Sequence, residues 1–143
     1  MSTKQISAFL ENKPGKLSEL TSLLAANGID LRALSLAETN DFGIARMIVD
    51  DVEKASAVLA NESFIASVTE VLVFAVPNEP GGLNRLLTEF NKANVNIIYM
   101  YAFIGRDTSR AYMIFRVSDT ASAERALSLA GLSPLAQSEM DAI

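Results

Sequence analysis

A short motif occurs twice in the chain, and its two copies lie 66 positions apart. Residues 12–17 read Asn-Lys-Pro-Gly-Lys-Leu, and residues 78–83 read Asn-Glu-Pro-Gly-Gly-Leu. The same displacement places residues 28–31 (Gly-Ile-Asp-Leu) over 94–97 (Asn-Val-Asn-Ile), and residues 45–49 over 111–115. A motif that returns together with its flanking pattern indicates duplication. We therefore divide the 143 residues into two repeats, 1–69 and 70–143.

The first repeat has the pattern of six elements. A partly alternating run over residues 4–10 predicts a strand, and the Pro-Gly turn after it breaks that strand. Leucines at 17, 20, 23 and 24 have helical spacing, and Asn27-Gly28 ends this helix. Residues 31–38 and 43–49 form a predicted hairpin. A second helix follows Asp50-Asp51, and a strand near residues 65–70 closes the repeat.

The second repeat follows the same order. Its predicted strands are residues 71–76, 97–105 and 110–117, with a weaker one near 135–138, and its helices are 83–93 and 121–130. This order, β-α-β-β-α-β twice, is the ferredoxin-like α+β pattern, with an antiparallel sheet and both helices on one face in each repeat. No Gly or Pro separates the repeats between residues 67 and 76, so one long strand could serve both.

The periodicities also predict the core. Its expected members are apolar residues on the inward faces of helices and strands. They are Ile6, Leu17, Leu20, Leu24, Leu34, Ile48, Leu59, Val73, Leu83, Leu86, Phe90, Met113, Phe115 and Leu127.

The composition excludes several classes of function. A net charge of −5 without a basic cluster argues against nucleic-acid binding. The chain has no histidine and no cysteine, which removes the usual metal ligand, the thiolate nucleophile and the side chain best suited to proton transfer near neutral pH. We expect no catalytic residues, no metal and no cofactor. Apolar runs are too short to cross a membrane, and no secretion signal is apparent, so we expect a cytoplasmic protein.

A Pro-Gly turn lies between a strand and a helix, and Gly-Ile-Asp-Leu follows at the start of a second strand. With these features the chain resembles the ACT family of small regulatory domains that bind amino acids. The resemblance covers both repeats. In this family, effectors lie between two ACT units, near the first strand-to-helix turn of one and the second strand of the other. This resemblance implies a non-catalytic regulatory protein with an amino-acid effector at the interface between its repeats.

The resemblance also implies site residues. In a serine-responsive ACT domain, an Asn before the Pro-Gly and an Asn at the start of the second strand contact the ligand, together with a His. The first Asn matches Asn12 and Asn78, and the second position holds Asp30 and Asn96. The His position holds Leu10 and Val76, so serine is not implied as the ligand.

The chemistry of these residues suits a free amino acid. A helix N-terminus with glycines at Gly15, Gly81 and Gly82 offers backbone N–H groups to a carboxylate. Asn side chains donate and accept, whereas the carboxylate of Asp30 suits an ammonium group. The structural alternative stays open, because Asn before Pro-Gly is also an ordinary turn residue.

A row of aromatic residues distinguishes the second repeat. Tyr99, Tyr101 and Phe103 alternate along one strand and therefore share one face, whereas Met100 and Ala102, like Leu34 and Leu36 in the first repeat, point to the expected helix-covered core. Large aromatic side chains in a row predict packing against another sheet or another copy. We therefore expect a homodimer, with an effector pocket as the alternative role of this face.

Three functional hypotheses follow. The first is an amino-acid sensor that docks on a metabolic enzyme or regulator. The second is an oligomerisation or scaffold module with the same fold but no ligand. The third, an enzyme, would depend on carboxylate or lysine chemistry alone.

Overall fold

A computed structural model describes residues 2–143. The chain divides into two compact units, Lys4–Thr69 and Glu70–Ile143, and the second unit also includes Thr3. In chain order the elements are β1 (Thr3–Glu11), α1 (Lys16–Ala26), β2 (Leu31–Glu38), β3 (Phe42–Val49), α2 (Val52–Asn61), β4 (Ile65–Pro77), α3 (Gly82–Lys92), β5 (Ile97–Phe103), β6 (Arg110–Val117), α4 (Thr120–Leu129) and α5 (Gln137–Asp141).

The first unit is an antiparallel sheet with α1 and α2 on one face. Its strand order is β2-β3-β1-β4, and β3 pairs antiparallel with both β1 and β2. Alternate residues of β1 and β3 bury their side chains against the apolar faces of the two helices. This core contains Ile6, Ala8, Leu10, Leu20, Leu24, Ile29, Ala45, Met47, Val49, Ala55 and Leu59.

The second unit repeats this design. Its strand order is β4-β6-β5, with antiparallel pairing throughout, and α3 and α4 lie on one face. Three phenylalanines, Phe74, Phe90 and Phe115, pack edge-on or tilted at the centre, with ring centroids 4.6–6.2 Å apart. The predicted α+β, ferredoxin-like class is therefore confirmed.

Strand β4 is continuous over Ile65–Pro77, 13 residues, and so belongs to both repeats. Its first residues are mostly exposed, and Val71 to Phe74 are buried. This resolves the question that the missing turn signal between residues 67 and 76 left open: one strand serves both repeats.

The displacement between the repeats is not constant. It is 66 from α1 to α3, whose first residues are Lys16 and Gly82, but 68 from β3 to β6, which begin at Phe42 and Arg110. The predicted alignment of residues 45–49 with 111–115 is thus wrong by two positions. The reason is the longer hairpin loop of the second repeat, residues 104–109 against 39–41. The loop is three residues longer, but β5 ends one position earlier than a displacement of 66 from β2 would give, so the net shift is two. An even shift preserves the alternation of inward and outward side chains, so the sequence pattern concealed it.

The predicted core is correct with one exception. Leu17 and Leu83 are half-buried against the two cores, and the other predicted residues are buried, but Leu34 is 40% exposed. Leu34 pairs with the core residue Met47 and therefore does face the helices. However, β2 is the edge strand of its sheet, so the helices do not cover it. Leu36 and Ala102, on the two edge strands, are exposed for the same reason, and Met100 is only half-buried.

The weak strand predicted near residues 135–138 is also wrong. Residues 132–136 form no regular element, and the Leu135 N–H donates to the Val73 carbonyl of β4 at 2.8 Å. The chain then forms the short helix α5. The N–H of Ala136, the residue before this helix, donates to the Glu139 carboxylate at 3.1 Å. Met140 on this helix is buried. A helix therefore replaces the last strand of the second repeat.

Candidate functional site

Two positions of the Pro-Gly turn in the second unit require glycine, each for a different reason. Gly81 precedes α3 with a φ of 87°, a left-handed conformation that favours glycine. Gly82 begins the helix, and a Cβ there would collide with the Pro77 carbonyl oxygen. The backbone of the turn consequently lies close to the end of β4, without side chains between them.

The turn of the first unit has the same backbone but a different surface. Gly15 precedes α1 with a φ of 86°, whereas Lys16 occupies the position of Gly82. Lys13 pairs with Glu11 at 2.8 Å on the exposed side of the turn. This hydrogen bond lowers the pKa of Glu11 and raises the pKa of Lys13. Asn12 is exposed and donates its backbone N–H to the Asp41 carbonyl at 3.1 Å.

The helices that follow the Pro-Gly turns differ from the other two long helices in their N-terminal caps. Asp51 and Asp119 cap α2 and α4, accepting from the Lys54 and Ser122 N–H groups at 3.0 Å. Among the described residues, no side chain caps α1 or α3. The first N–H groups of a helix lack intrahelical acceptors and carry a partial positive charge. The first N–H of each helix donates within its turn, from Lys16 to the Lys13 carbonyl at 3.4 Å and from Gly82 to the Glu79 carbonyl at 3.1 Å. No side chain occupies the rest of either helix end, and such an end favours an anion.

A cavity of about 340 Å³ lies beside the second turn. Asn78, Glu79, Gly81 and Asn84 provide polar groups along it. Its apolar wall consists of Val76, Pro77, Leu83, Leu87, Ala111 and Met113. The volume is in the lower part of the range for small-molecule pockets, and a mostly apolar wall with a few polar groups is typical of them.

Asn78 has a structural task in this turn. Its side-chain amide donates to the Thr108 carbonyl at 2.8 Å, and its backbone N–H donates to the Ser109 carbonyl at 2.8 Å. Both bonds attach the turn to the loop between β5 and β6. In that loop the Ser109 hydroxyl and N–H donate to Asp107, which lowers the pKa of Asp107. The side-chain oxygen of Asn78 is left as its acceptor group.

The strand-start residues Asp30 and Asn96 occupy equivalent positions with different partners. Asp30 forms an ion pair with Arg32 at 3.3 Å, and its backbone exchanges hydrogen bonds with Asp50. Asn96 donates its side-chain amide to the Ser118 hydroxyl at 2.7 Å. It also lines a small cavity of about 120 Å³ with Ser118, Asp119 and Ser122.

Within one unit, the turn and the strand-start residue lie at opposite ends of the sheet. Glu11 pairs with Phe42 at one end of β3, whereas Leu31 pairs with Val49 at the other. Seven residues of strand separate the two ends, roughly 23 Å. The structure therefore brings Asn78 together with Gly81 and Gly82, and Asn12 with Gly15, but neither turn with the Asp30 or Asn96 of its own unit.

Sequence reasoning missed several residues that line the turn cavity. Asn84 and Leu87 come from the first turns of α3, and Ala111 and Met113 from β6. Leu83 and Leu87 are four positions apart and therefore lie on one side of α3, so a local signal for this side of the cavity exists in the sequence. The contribution of β6 depends on strand pairing, which the pattern of the motif alone does not contain.

Residues 2–143 contain neither a cluster of metal-ligating side chains nor a helix of membrane-spanning length. No group of three or more acidic residues in residues 2–143 could hold a metal ion. The longest helices in that range have 11 residues, and none is long and apolar enough to span a bilayer.

Comparisons with known proteins identify the family. The sequence profile of the ACT domain pair matches residues 1–143. Protein BT0572 from Bacteroides thetaiotaomicron is 38% identical and superposes with a TM-score of 0.92, covering 100% of this chain and 98% of that one. A comparison with curated proteins found no match.

Two further structures share the fold at lower identity. The ligand-free regulatory subunit of aspartate kinase from Thermus thermophilus is 16% identical, with a TM-score of 0.65 over 89% of this chain and 91% of that one. Aspartate kinase from Synechocystis is 20% identical, with a TM-score of 0.58 over 95% of this chain and 28% of that one. Because the family profile extends over the whole sequence, the chain belongs to the ACT domain pair family.

Proposed function

We propose that this protein is a non-catalytic regulator that binds a free amino acid at a Pro-Gly turn. The observation that carries the proposal is the 340 Å³ cavity beside the uncapped N-terminus of α3. The helix end supports binding of the ligand carboxylate, because its N–H groups and partial charge favour an anion. The apolar wall formed by Leu83, Leu87 and Met113 suits an apolar part of the side chain.

The ammonium group needs acceptors, and the polar residues at the predicted positions carry suitable oxygen atoms. The side-chain oxygens of Asn78 and Asn96 are acceptors, since the amide N–H groups of both residues already donate to Thr108 and Ser118. Asp30 adds a carboxylate, which Arg32 shares. Turn and strand-start residues lie at opposite ends of the sheet within a unit, so one amino acid does not reach both residues of the same unit.

A ligand-free scaffold is the second candidate, and the role of Asn78 favours it. The Asn78 side chain holds the β5–β6 loop in place, which is a sufficient reason for an Asn at this position. On this hypothesis the protein associates with a metabolic enzyme or regulator through its fold alone. On either hypothesis we propose that the protein forms a homodimer and associates with a partner protein.

Thermal unfolding with each of the twenty amino acids distinguishes the two candidates. A ligand that binds only the folded state at about 100 times its Kd adds about 2.7 kcal/mol of stability, so a sensor must melt at a higher temperature with its effector. A scaffold shows no rise with any of the twenty. Mass spectrometry of the purified native protein would reveal a retained effector.

A matched pair of variants locates the binding site. Asn84 is exposed at the rim of the turn cavity, so Asn84→Phe should fill the cavity without disturbing the core and should abolish the shift. Ser18, 66 positions earlier on α1, is also exposed, so Ser18→Phe is the control. An equal loss of the shift in both variants would contradict a site at the second turn.

A further inference from the structure

The turn cavity of the second unit has one ionisable residue, Glu79, among the described residues that line it. The Glu79 carboxylate accepts a hydrogen bond from the Arg85 guanidinium at 2.5 Å, so its charge is already paired within the turn. A charged ligand side chain would therefore meet no free partner of opposite charge in this wall, and burial of an unpaired charge is costly. The cavity disfavours amino acids with charged side chains.

The apolar part of the wall is long enough for a whole aliphatic side chain. Leu83 lies at the second position of α3, and Leu87 follows one turn later on the same side of the helix. Four residues advance a helix by about 6 Å, a distance comparable with the length of a leucine or methionine side chain. Ala111 and Met113 of β6 form the sheet side of the same wall and are buried. An aliphatic ligand side chain therefore finds apolar contacts on two sides.

The first turn does not repeat this wall, although it repeats the Pro-Gly motif. At a displacement of 66, the half-buried Leu87 corresponds to Thr21, and Pro77 corresponds to Glu11. Polar residues thus replace two apolar members of the wall. The backbone of the turn is common to both units, whereas the apolar wall belongs to the second unit.

We infer that the effector is an amino acid with an aliphatic or thioether side chain of the size of leucine, isoleucine or methionine, and that each chain binds one molecule, at the second turn. This inference rests on the proposed function. Backbone groups at the start of α3 bind the carboxylate that all amino acids share. Leu87 and Met113 contact the side chain and so determine which amino acid binds.

Calorimetric titration of the full chain with free amino acids of matched shape tests this specificity. Leucine, asparagine and aspartate have side chains of the same size and branching, but the first is apolar, the second polar and the third charged. The tightest of leucine, isoleucine and methionine should bind roughly tenfold more tightly than asparagine or aspartate, because the apolar wall leaves their polar groups without partners. Equal or tighter binding of asparagine or aspartate overturns the inference and leaves the amino-acid sensor intact. Absence of binding by all twenty amino acids overturns both.

Alanine measures the part of the affinity that comes from the ligand's carboxylate and ammonium groups. Leucine, isoleucine and methionine each have three more non-hydrogen atoms than alanine, and each buried methylene group changes the affinity about fourfold. The aliphatic effector should therefore bind roughly tenfold to sixtyfold more tightly than alanine. The same titration should give one ligand per chain. Affinity equal to that of alanine, or two equal sites per chain, overturns the inference.

A variant of the wall tests whether Leu87 contacts the ligand side chain. Leu87→Thr introduces the residue type of the first turn and should lower the ratio of effector affinity to alanine affinity about fourfold, the effect of one buried methylene group. A purely structural effect would weaken both ligands equally and leave this ratio unchanged. Leu23→Thr is the control, because Leu23 is a half-buried leucine of α1 in the other unit, and it should not change the ratio. An unchanged ratio in Leu87→Thr, or the same change in both variants, overturns the inference.

Discussion

At the scale of single residues, the two turns show how similar motifs produce different surfaces. Gly15 and Gly81 have the same left-handed conformation, but the next position is Lys16 in one turn and Gly82 in the other. Only the second turn brings the helix start so close to the preceding strand that a Cβ would strike the Pro77 carbonyl. The cavity lies beside this closer turn.

Gly82→Ala should therefore destabilise the protein, whereas Lys16→Ala should not. The added methyl group forces the backbone of the turn apart, at a cost of about 1–3 kcal/mol, the usual range for overpacking. Lys16 loses only an exposed ion pair with Glu19, worth less than about 1 kcal/mol. Chemical denaturation of both variants measures the difference. Equal stability of the two would show that the backbone relaxes freely at Gly82.

The residue types at the turns could be predicted from the sequence, but their hydrogen bonds could not. Asn before Pro-Gly indicated both a turn and a ligand contact. The bond from Asn78 to the Thr108 carbonyl depends on a loop 30 positions further along, and no local pattern specifies such a contact.

At the scale of elements, helices and central strands were predictable because their periodicities are strong. Two features were not predictable: the exposure of the edge strands and the nature of the last element. The edge strands β2 and β5 carry apolar residues on the face that points to the helices, but the helices do not cover them, as the exposure of Leu34 shows. A sequence pattern indicates which face a residue occupies but not whether another element covers that face. The last element became a helix because residues 135–141 lack a strand's alternation and Glu139 caps the N–H of Ala136.

Helix α5 should contribute to stability despite having only five residues. Met140 is 1% exposed, so Met140→Ala should cost about 2–5 kcal/mol, the range for truncation of a buried methionine. Leu129→Ala is the control, because Leu129 is 92% exposed and should change the free energy of unfolding by less than about 0.5 kcal/mol. If both variants unfold alike in denaturant, the C-terminal segment is not integrated into the second unit.

At the scale of the whole molecule, the aromatic row bears on self-association. Tyr99, Tyr101 and Phe103 do share one face, since they pair with Arg116, Ile114 and Tyr112 of β6. Phe103 stacks on Tyr112 with ring centroids 5.0 Å apart. All three side chains are already half-buried in the single chain. The chain itself therefore buries part of the surface that the sequence analysis assigned to packing against a second copy.

We nevertheless expect a homodimer, because the half-exposed row and Ile98, which is 55% exposed, lie on an edge strand without charged residues. Sedimentation velocity at micromolar concentration should give the mass of two chains. Tyr101→Lys, which places a charge in the row, should shift the distribution towards monomer, and Thr88→Lys on the exposed side of α3 should not. A wild-type monomer would refute the expectation.

The central claim is that this ACT domain pair binds a free amino acid, and isothermal titration calorimetry of the full chain tests it most directly. We predict that at least one of the twenty amino acids releases or absorbs measurable heat at millimolar concentration or below. We also predict that Asn78→Ala weakens the binding of that amino acid roughly tenfold to hundredfold, because a hydrogen bond to a charged group is worth about 1.5–3 kcal/mol. Absence of heat with all twenty, or unchanged affinity in both Asn78→Ala and Asp30→Asn, would contradict the sensor and leave the scaffold.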